Sequence, residues 1–200
     1  AKGNDIFTGG REYYNHPNYK KEDKPTIIHQ SSATGMQAIP TTGIAQGLKF
    51  LAQTNNTLLK KGPGGEMPVV ICSLGDASVT EGVVSEGFQF AALHQLTIIY
   101  LVQDNDWGIS VTGSEARTTT AFEFIEGFKG IERVTVDGSN FEESFNVMQQ
   151  TIAAVRKNRK PWLVHAKVPL LGHHTSGVRK ETYRSNEDLQ KHFSNDPVEK

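Results

Sequence analysis

Continuous apolar runs alternate along the chain with segments whose apolar residues recur at helical spacing. A strand that is buried on both faces of a sheet appears in a sequence as a short apolar run. Such runs lie at residues 69–74, 97–103, 131–136 and 162–168. Helices are predicted at residues 35–53, 81–95, 122–128 and 141–157. Strands that alternate with helices form β-α-β units, so we predict an α/β fold of three layers, α/β/α, around a mainly parallel sheet.

Neither end of the chain shows such a pattern. We predict an extended arm or loop over residues 1–34, an α/β domain over residues 35–168, and a polar, loop-like tail over residues 169–200. The glycine-rich segment 60–66 lacks the Lys-Ser/Thr pair of a phosphate-binding P-loop, so we interpret it as a surface loop. The chain starts on a polar stretch without a methionine, from which we expect a processed chain or an excised piece.

Composition narrows the classes of partner. The chain has 21 Lys and Arg against 22 Asp and Glu, a net charge of −1. Binding to nucleic acid needs a surplus of basic residues, so we expect no nucleic-acid partner. A single cysteine, Cys72, forms no internal disulfide and no cysteine-rich zinc site, which is typical of a reducing, cytoplasmic compartment. No apolar run reaches the roughly 18 to 20 residues that cross a bilayer, so we expect no membrane association.

Polar residues follow the first two predicted strands. Asp76 stands just after the first strand, and Asn105 just after the second. Ligands of a parallel sheet bind beyond the carboxyl ends of its strands, and neighbouring strands would place these residues roughly 5 Å apart. Mg²⁺ takes one or two carboxylates and fills its shell with water and phosphate oxygens, so this pair suits a metal–diphosphate site over Ala77 and Ser78. The alternative is that Asp76 only caps a helix.

The spacing of these segments resembles a known cofactor fingerprint. Gly75-Asp76-Ala77 is followed after 26 residues by Asp104-Asn105, which resembles the Gly-Asp-Gly to Asn-Asn fingerprint for thiamine diphosphate. Residues 75–110 resemble more specifically the α subunit of the 2-oxo acid dehydrogenase E1 component, the branched-chain and pyruvate enzymes. Further segments similar to that family are Gly9-Gly10-Arg11-Glu12, Gln30-Ser31-Ser32 with Ile39-Pro40, Gly87–Ala92, Gly172-His173-His174-Thr175-Ser176 and Tyr183-Arg184-Ser185.

The resemblance implies roles for individual residues. Asp76 and Asn105 would bind Mg²⁺ through their side chains, and Trp107 through its backbone carbonyl. The backbone N–H groups of Ala77 and Ser78 would hold the diphosphate. The cofactor-binding residues implied in this way are Gly75, Asp76, Ala77, Ser78, Asn105 and Trp107.

The two adjacent histidines belong to the segment that resembles the family's mobile active-site loop. His174 aligns with the family's catalytic histidine, which assists transfer of the acyl group to lipoamide, and His173 is the second catalytic candidate. Imidazole can donate or accept a proton near neutral pH, which suits that role. Simple solvation is the alternative for two histidines in a polar tail. Thr175 stands where the family has a serine, which puts kinase control of that serine in doubt.

Two departures fall inside the fingerprint itself. Ala77 stands in place of its last glycine, and Asp104 in place of its first asparagine. Alanine is tolerated where the backbone φ is negative, whereas Asp104 adds negative charge close to a diphosphate.

The resemblance implies the diphosphate-binding half of an E1 enzyme. The complete enzyme would decarboxylate a 2-oxo acid, a branched-chain one as first choice and pyruvate as second, and pass the acyl group to the lipoyl domain of an E2 acyltransferase. The glutamate that activates the cofactor comes in this family from a β-type subunit or fused domain, so we expect the isolated chain to be inactive. Alternatives are a transketolase-like enzyme and a non-catalytic scaffold. We set aside a calcium-binding loop over Asp104–Glu115, because Ile109 stands where such a loop needs glycine.

Overall fold

We describe the chain from a computed structural model, which covers residues 19–21, 24–28, 31–175 and 177–199. In chain order the strands are β1 (Val70–Gly75), β2 (Ile98–Asp104), β3 (Trp107–Gly108), β4 (Val111–Thr112), β5 (Glu132–Asp137) and β6 (Trp162–Lys167). The helices are α1 (Ala38–Gln53), α2 (Gly82–His94), α3 (Gly113–Ala116), α4 (Ala121–Phe124), α5 (Phe141–Asn158) and α6 (Asn186–Phe193). Short 3₁₀ turns cover Asp76–Ser78, Ile125–Gly127 and Lys180–Thr182.

Four of these strands form one sheet in the order β1-β2-β6-β5, and every neighbouring pair is parallel. Each of the four apolar runs identified in the sequence is a strand of this sheet, so the predicted α/β fold with a parallel sheet is confirmed. The last strand of the described chain, β6, lies between β2 and β5. Its neighbours therefore come from two separate parts of the sequence.

Helices cover both faces of the sheet, which confirms the three-layer prediction. On one face α1, α2 and α4 pack over buried apolar side chains that include Leu74, Phe88, Tyr100 and Leu163. On the other face α5 packs over a second buried group that includes Ile99, Val136, Val155 and Val164. The carboxyl ends of the four strands are left at one edge between these layers, where the site lies.

The ends of the chain depart from the loop-like expectation. The loop-like reading of residues 169–200 is wrong for Asn186–Phe193, which form α6. The hydroxyl of Ser185 caps this helix by accepting the N–H of Asp188 at 3.2 Å. A helix of two turns is too short for its apolar period to stand out in a polar segment. Within the predicted arm, Tyr19 and Ile27 form an isolated antiparallel bridge; the domain boundaries stay predictions.

Tyr100 joins the sheet to the two helices above it. Its side chain is fully buried in β2, and its hydroxyl lies 2.7 Å from the hydroxyl of Thr42 on α1. The same hydroxyl donates to the carbonyl of Gly87 on α2 at 3.1 Å. A Cβ at Gly87 would lie 3.3 Å from Thr42 Oγ1, so the small residue allows the close approach of α1 and α2. Among the described residues, no helix has the length and apolarity needed to cross a bilayer.

We expect Tyr100→Phe to lower the free energy of unfolding by about 1 to 3 kcal/mol, because it removes the buried hydroxyl that contacts both Thr42 and the Gly87 carbonyl. Urea denaturation followed by circular dichroism measures the change. Tyr183→Phe is the matched control, since the Tyr183 hydroxyl is buried without a hydrogen-bond partner among the described residues. Equal losses in the two variants would show that the Tyr100 hydrogen bonds contribute nothing measurable.

Candidate functional site

The segments that follow β1 and β2 meet at the carboxyl edge of the sheet. Gly75 pairs with Gln103 in the parallel register, so the residues after each strand are neighbours. The backbone N–H of Asn105 lies 3.4 Å from Oδ1 of Asp76. The structure therefore brings together the two residues that the sequence singled out as metal ligands.

Asp76 is buried beside a guanidinium group. Its side chain is 2% exposed, and Oδ2 lies 2.7 Å from Nη2 of Arg117, whose side chain is also buried. The guanidinium of Arg117 is therefore the charged partner of Oδ2. Burial raises the pKa of Asp76, the charge of Asp104 raises it further, and Arg117 offsets only part of this increase.

The direction of this pKa shift has a consequence for stability. A carboxyl group whose pKa is higher in the folded state favours folding in its neutral form, and that contribution is lost as pH rises through the raised pKa. The folded chain therefore disfavours the ionised form of Asp76. A buried carboxylate of this kind, in a cleft and beside a specific charge partner, is typical of functional sites.

Arg117 was not found by sequence reasoning. It follows α3, which begins at Gly113, and a Cβ at Gly113 would lie 2.5 Å from Arg117 Nη2 and 2.3 Å from Asp106 Oδ1. Glycine at this position therefore allows the guanidinium to reach Asp76. No local pattern marks Arg117, because its partner stands on a different strand end far away in the sequence.

Side chains within the segment after β2 hold its backbone. Oδ1 of Asn105 accepts the N–H of Trp107 at 3.0 Å, which is the pattern of an Asx turn. Oδ1 of Asp104 accepts the N–H of Asp106 at 3.0 Å. Asp106 has a φ of +64°, and its carbonyl accepts the N–H of Gly113 at 2.9 Å. We call residues 104–108 the cofactor loop, because the sequence analysis expects two of the cofactor-binding residues there.

Asp104, which replaces an asparagine of the fingerprint, contacts a residue on the neighbouring strand of the sheet. His165 stands on β6, and its Nε2 lies 2.7 Å from Oδ2 of Asp104. Burial alone would raise the pKa of Asp104, but the hydrogen bonds from His165 and from the N–H of Asp106 lower it below its usual value. The two neighbouring aspartates thus have opposite pKa shifts. His165 was also missed in the sequence, where it appears as one polar residue in an apolar run.

These segments line an open cleft of about 270 Å³. Gly35 helps to shape it, because its φ is +79° and a Cβ there would lie 3.0 Å from Val84 on α2. The turn before α1 therefore lies against α2, and α1 starts at Ala38 instead of residue 35. The lining residues are Ser31–Gly35, Gln37, Gly75–Ser78, Asn105, Trp107 and His174.

The two candidate catalytic histidines have different surroundings. His174 lines the cleft, and its Nδ1 is buried without a hydrogen-bond partner among the described residues. His173 is exposed, and its Nδ1 accepts the backbone N–H of Lys180 at 3.2 Å. The adjacent Ser176 lies outside the described residues, as do Gly9–Glu12 and Gln30 of the family-like segments.

Trp107 connects the cofactor loop to the segment after the histidines. Its side chain is buried, its ring centre lies 5.4 Å from that of Tyr183, and the Arg184 guanidinium lies 5.3 Å from the ring centre. The Tyr-Arg pair that the sequence singled out is thus packed against a residue of the candidate cofactor site.

Oxygen-bearing residues line the cleft together with the imidazole of His174. They include Asp76, whose carboxylate Arg117 contacts, Asn105 with its side-chain amide, and Trp107. Within the described part of the chain, no group of three or more His, Cys, Asp or Glu residues is arranged to hold a metal ion alone. A hard cation that draws its remaining ligands from water and phosphate is compatible with this set.

Comparison with known proteins identifies the family. Residues 6–200 match the family model described as "Dehydrogenase E1 component". The chain belongs to the dehydrogenase E1 component family. Among curated E1 relatives, the 3-methyl-2-oxobutanoate dehydrogenase subunit alpha of Mycobacterium tuberculosis is 30% identical over 66% of this chain and 36% of its own length. The pyruvate dehydrogenase E1 component subunit alpha of Rickettsia felis is 31% identical over 78% of this chain and 44% of its own length. This E1-family chain thus spans less than half the length of these relatives.

Solved structures support the fold. A transketolase from Campylobacter jejuni superposes with a TM-score of 0.57 and 25% identity, covering 70% of this chain and 20% of the transketolase. A putative thiamin diphosphate-dependent enzyme from Mycobacterium smegmatis superposes with a TM-score of 0.51 and 21% identity over 72% of this chain and 24% of that enzyme. The second likeness concerns the fold alone.

The Ala77 departure is accommodated by a glycine in the cofactor loop. A Cβ at Gly108 would lie 3.0 Å from the Cβ of Ala77.

We expect Gly108→Ala to lower the free energy of unfolding by about 1 to 3 kcal/mol through overpacking, and Ala77→Gly in the same chain to restore most of it. Chemical denaturation of the single and double variants measures both effects. Gly82→Ala is the control, since a Cβ there meets no atom within 4 Å; additive losses in the double variant would contradict the direct contact.

Proposed function

We propose that this chain is the diphosphate-binding part of a thiamine-diphosphate-dependent 2-oxo acid dehydrogenase E1 component. The observation that carries the proposal is the buried Asp76 carboxylate, which lines the cleft beside Asn105 and is paired with the Arg117 guanidinium. Membership in the E1 family supports the same reaction class. The known α subunits that match this chain act in enzymes for 3-methyl-2-oxobutanoate and for pyruvate.

In this proposal the chain's own residues bind Mg²⁺ and the diphosphate. Asp76 and Asn105 bind the cation through side-chain oxygens, and Trp107 binds it through its carbonyl. The N–H groups of Ala77 and Ser78, in the turn after Gly75, bind the diphosphate, because the first N–H groups of a helical turn have no acceptor within it. When bound, thiamine diphosphate supplies an electron sink for the electron pair that remains after a 2-oxo acid loses carbon dioxide.

His174 is the proton-transferring residue in this proposal. It lines the same cleft, and an imidazole can both donate and accept a proton. A group that moves protons must lie within hydrogen-bond reach of the reacting atoms, and the position of His174 on the cleft wall favours it over His173. His173 remains the second candidate, although Lys180 already occupies its Nδ1.

The complete enzyme needs more than this chain. We propose that a β-type subunit or fused domain completes the cofactor site and that a lipoyl domain of an E2 acyltransferase receives the acyl group. A branched-chain 2-oxo acid is the first-choice substrate and pyruvate the second. The likeness to transketolase supports one alternative, a transketolase-like enzyme, which would require a sugar-phosphate acceptor instead of a lipoyl carrier. A scaffold without catalysis would not bind the cofactor.

We expect thiamine diphosphate to bind only with Mg²⁺, weakly to this chain and tightly to the longest natural polypeptide that contains it. Asp76→Asn should abolish the Mg²⁺-dependent part, because it removes the charged ligand of the cation. Isothermal titration calorimetry with and without Mg²⁺ measures this. Glu66→Gln, in the loop before β1 at the opposite edge of the sheet, should bind like the parent. Absence of binding to both lengths of polypeptide would refute the proposed function and leave the scaffold.

We expect His174→Ala to leave cofactor binding unchanged and to slow acyl transfer to a lipoyl domain by about 10² to 10⁴-fold in the complete enzyme, as loss of a general acid–base does. Single-turnover transfer assays with the partner subunit and a lipoyl domain measure the rate. His173→Ala is the matched comparison and should have a much smaller effect. Unchanged transfer in the His174 variant would remove this residue from the mechanism.

A further inference from the structure

His165 is a buried ionisable residue that the proposed mechanism does not use. Its side chain is 2% exposed within β6, and its Nε2 lies 2.7 Å from Asp104 Oδ2. An ionised carboxylate only accepts hydrogen bonds, so Nε2 carries the hydrogen and donates it. The other ring nitrogen, Nδ1, has no hydrogen-bond partner among the described residues. The hydrogen bond to Asp104 is therefore the polar contact that orients this imidazole.

The carboxylate of Asp104 links His165 to the backbone of the cofactor loop by hydrogen bonds. While Oδ2 accepts from His165, Oδ1 accepts the backbone N–H of Asp106 at 3.0 Å. The main-chain carbonyl of Asp104 accepts the N–H of Val168 at 2.8 Å, which ties the end of β2 to the end of β6. Asp106, with its left-handed backbone, is held on its other side by Gly113. Both neighbours of Asn105 are thus fixed by hydrogen bonds.

The orientation of Asn105 and Trp107 follows from these contacts. Asn105 lies between the two fixed aspartates, and its Oδ1 accepts the N–H of Trp107 at 3.0 Å. We propose that His165 is a positioning residue for the cofactor loop: it holds the Asp104 carboxylate, which holds the backbone of Asp106 and thereby sets Asn105 and Trp107. This inference rests on the proposed function, in which Asn105 and Trp107 bind the cation.

The hydrogen bond from His165 also explains how the fold accommodates an aspartate at position 104, where the fingerprint has an asparagine. Each oxygen of a mostly buried carboxylate needs a donor, and the Asp104 side chain is 12% exposed. Loss of the His165 donor would leave Oδ2 without its hydrogen bond and release the carboxylate from its present orientation. An asparagine at position 104 would not need a donor from His165 in this way, because its side chain carries no charge.

The test compares two variants of similar size, His165→Gln and His165→Met. Glutamine can place an amide donor where Nε2 lies, whereas methionine fills a similar volume without a donor. We expect His165→Met to weaken Mg²⁺-dependent thiamine diphosphate binding by about 10- to 100-fold, the usual effect of losing the partner of a metal-binding segment, and His165→Gln to stay within about threefold of the parent. Calorimetry on the longest natural polypeptide measures affinity, and melting temperatures verify folding.

A second readout needs no cofactor. The chain has two tryptophans, so Trp162→Phe leaves Trp107 as the reporter of the cofactor loop in this chain. Its fluorescence emission should shift in His165→Met and keep the parent value in His165→Gln. This contrast distinguishes failure of the inference from failure of the proposed function, because it stands even if thiamine diphosphate does not bind.

A suppressor variant keeps the test decisive if His165→Met folds poorly. In the Asp104→Asn background, His165→Met should cost much less affinity and stability than in the parent, since the carboxylate that needed the donor is gone. Parent-like affinity and unchanged Trp107 emission in His165→Met would overturn the inference. Equal effects of the glutamine and methionine variants, or an equal cost of His165→Met in both backgrounds, would show that His165 acts by packing and would overturn it too.

Discussion

Two carboxylates at the ends of neighbouring strands, Asp76 and Asp104, govern the arrangement of the whole site. Parallel pairing of β1 with β2 places them close together, and each is largely shielded from water. Like charges at such positions repel strongly unless each has its own partner. Arg117 forms an ion pair with Asp76, and His165 donates a hydrogen bond to Asp104. These partners come from the α3 region and from β6, so the charge balance requires most of the domain.

The difference between the two aspartates follows from their donors. Asp104 has a hydrogen bond on each oxygen, which lowers its pKa and makes its charge favourable for folding. Asp76 is paired with Arg117 through one oxygen, but burial and the charge of Asp104 still raise its pKa. The ionised form of Asp104 thus favours folding, whereas the ionised form of Asp76 opposes it. Environment, not residue type, separates the two roles.

The fold could be predicted from the sequence because its strands are short apolar runs, and such runs indicate strands that are buried on both faces of a sheet. Asp76 and Asn105 could be predicted because ends of parallel strands meet at one edge. Arg117 could not, since its contact with Asp76 depends on a glycine-permitted approach across the fold. The β3–β4 hairpin was missed for a similar reason: two-residue strands leave no period, and the left-handed residues at its turns, Asp106 and Ile109, are not glycines.

The position of β6 in the sheet has a bearing on synthesis of the chain. Because β6 lies between β2 and β5, a nascent chain that ends before Trp162 leaves β5 without its neighbour and Asp104 without His165. Contacts between distant parts of a sequence form late, and exposed strand edges of incomplete sheets associate with one another. The four-stranded sheet can therefore close only after β6 has been synthesised, and the contact between His165 and Asp104 forms with that closure.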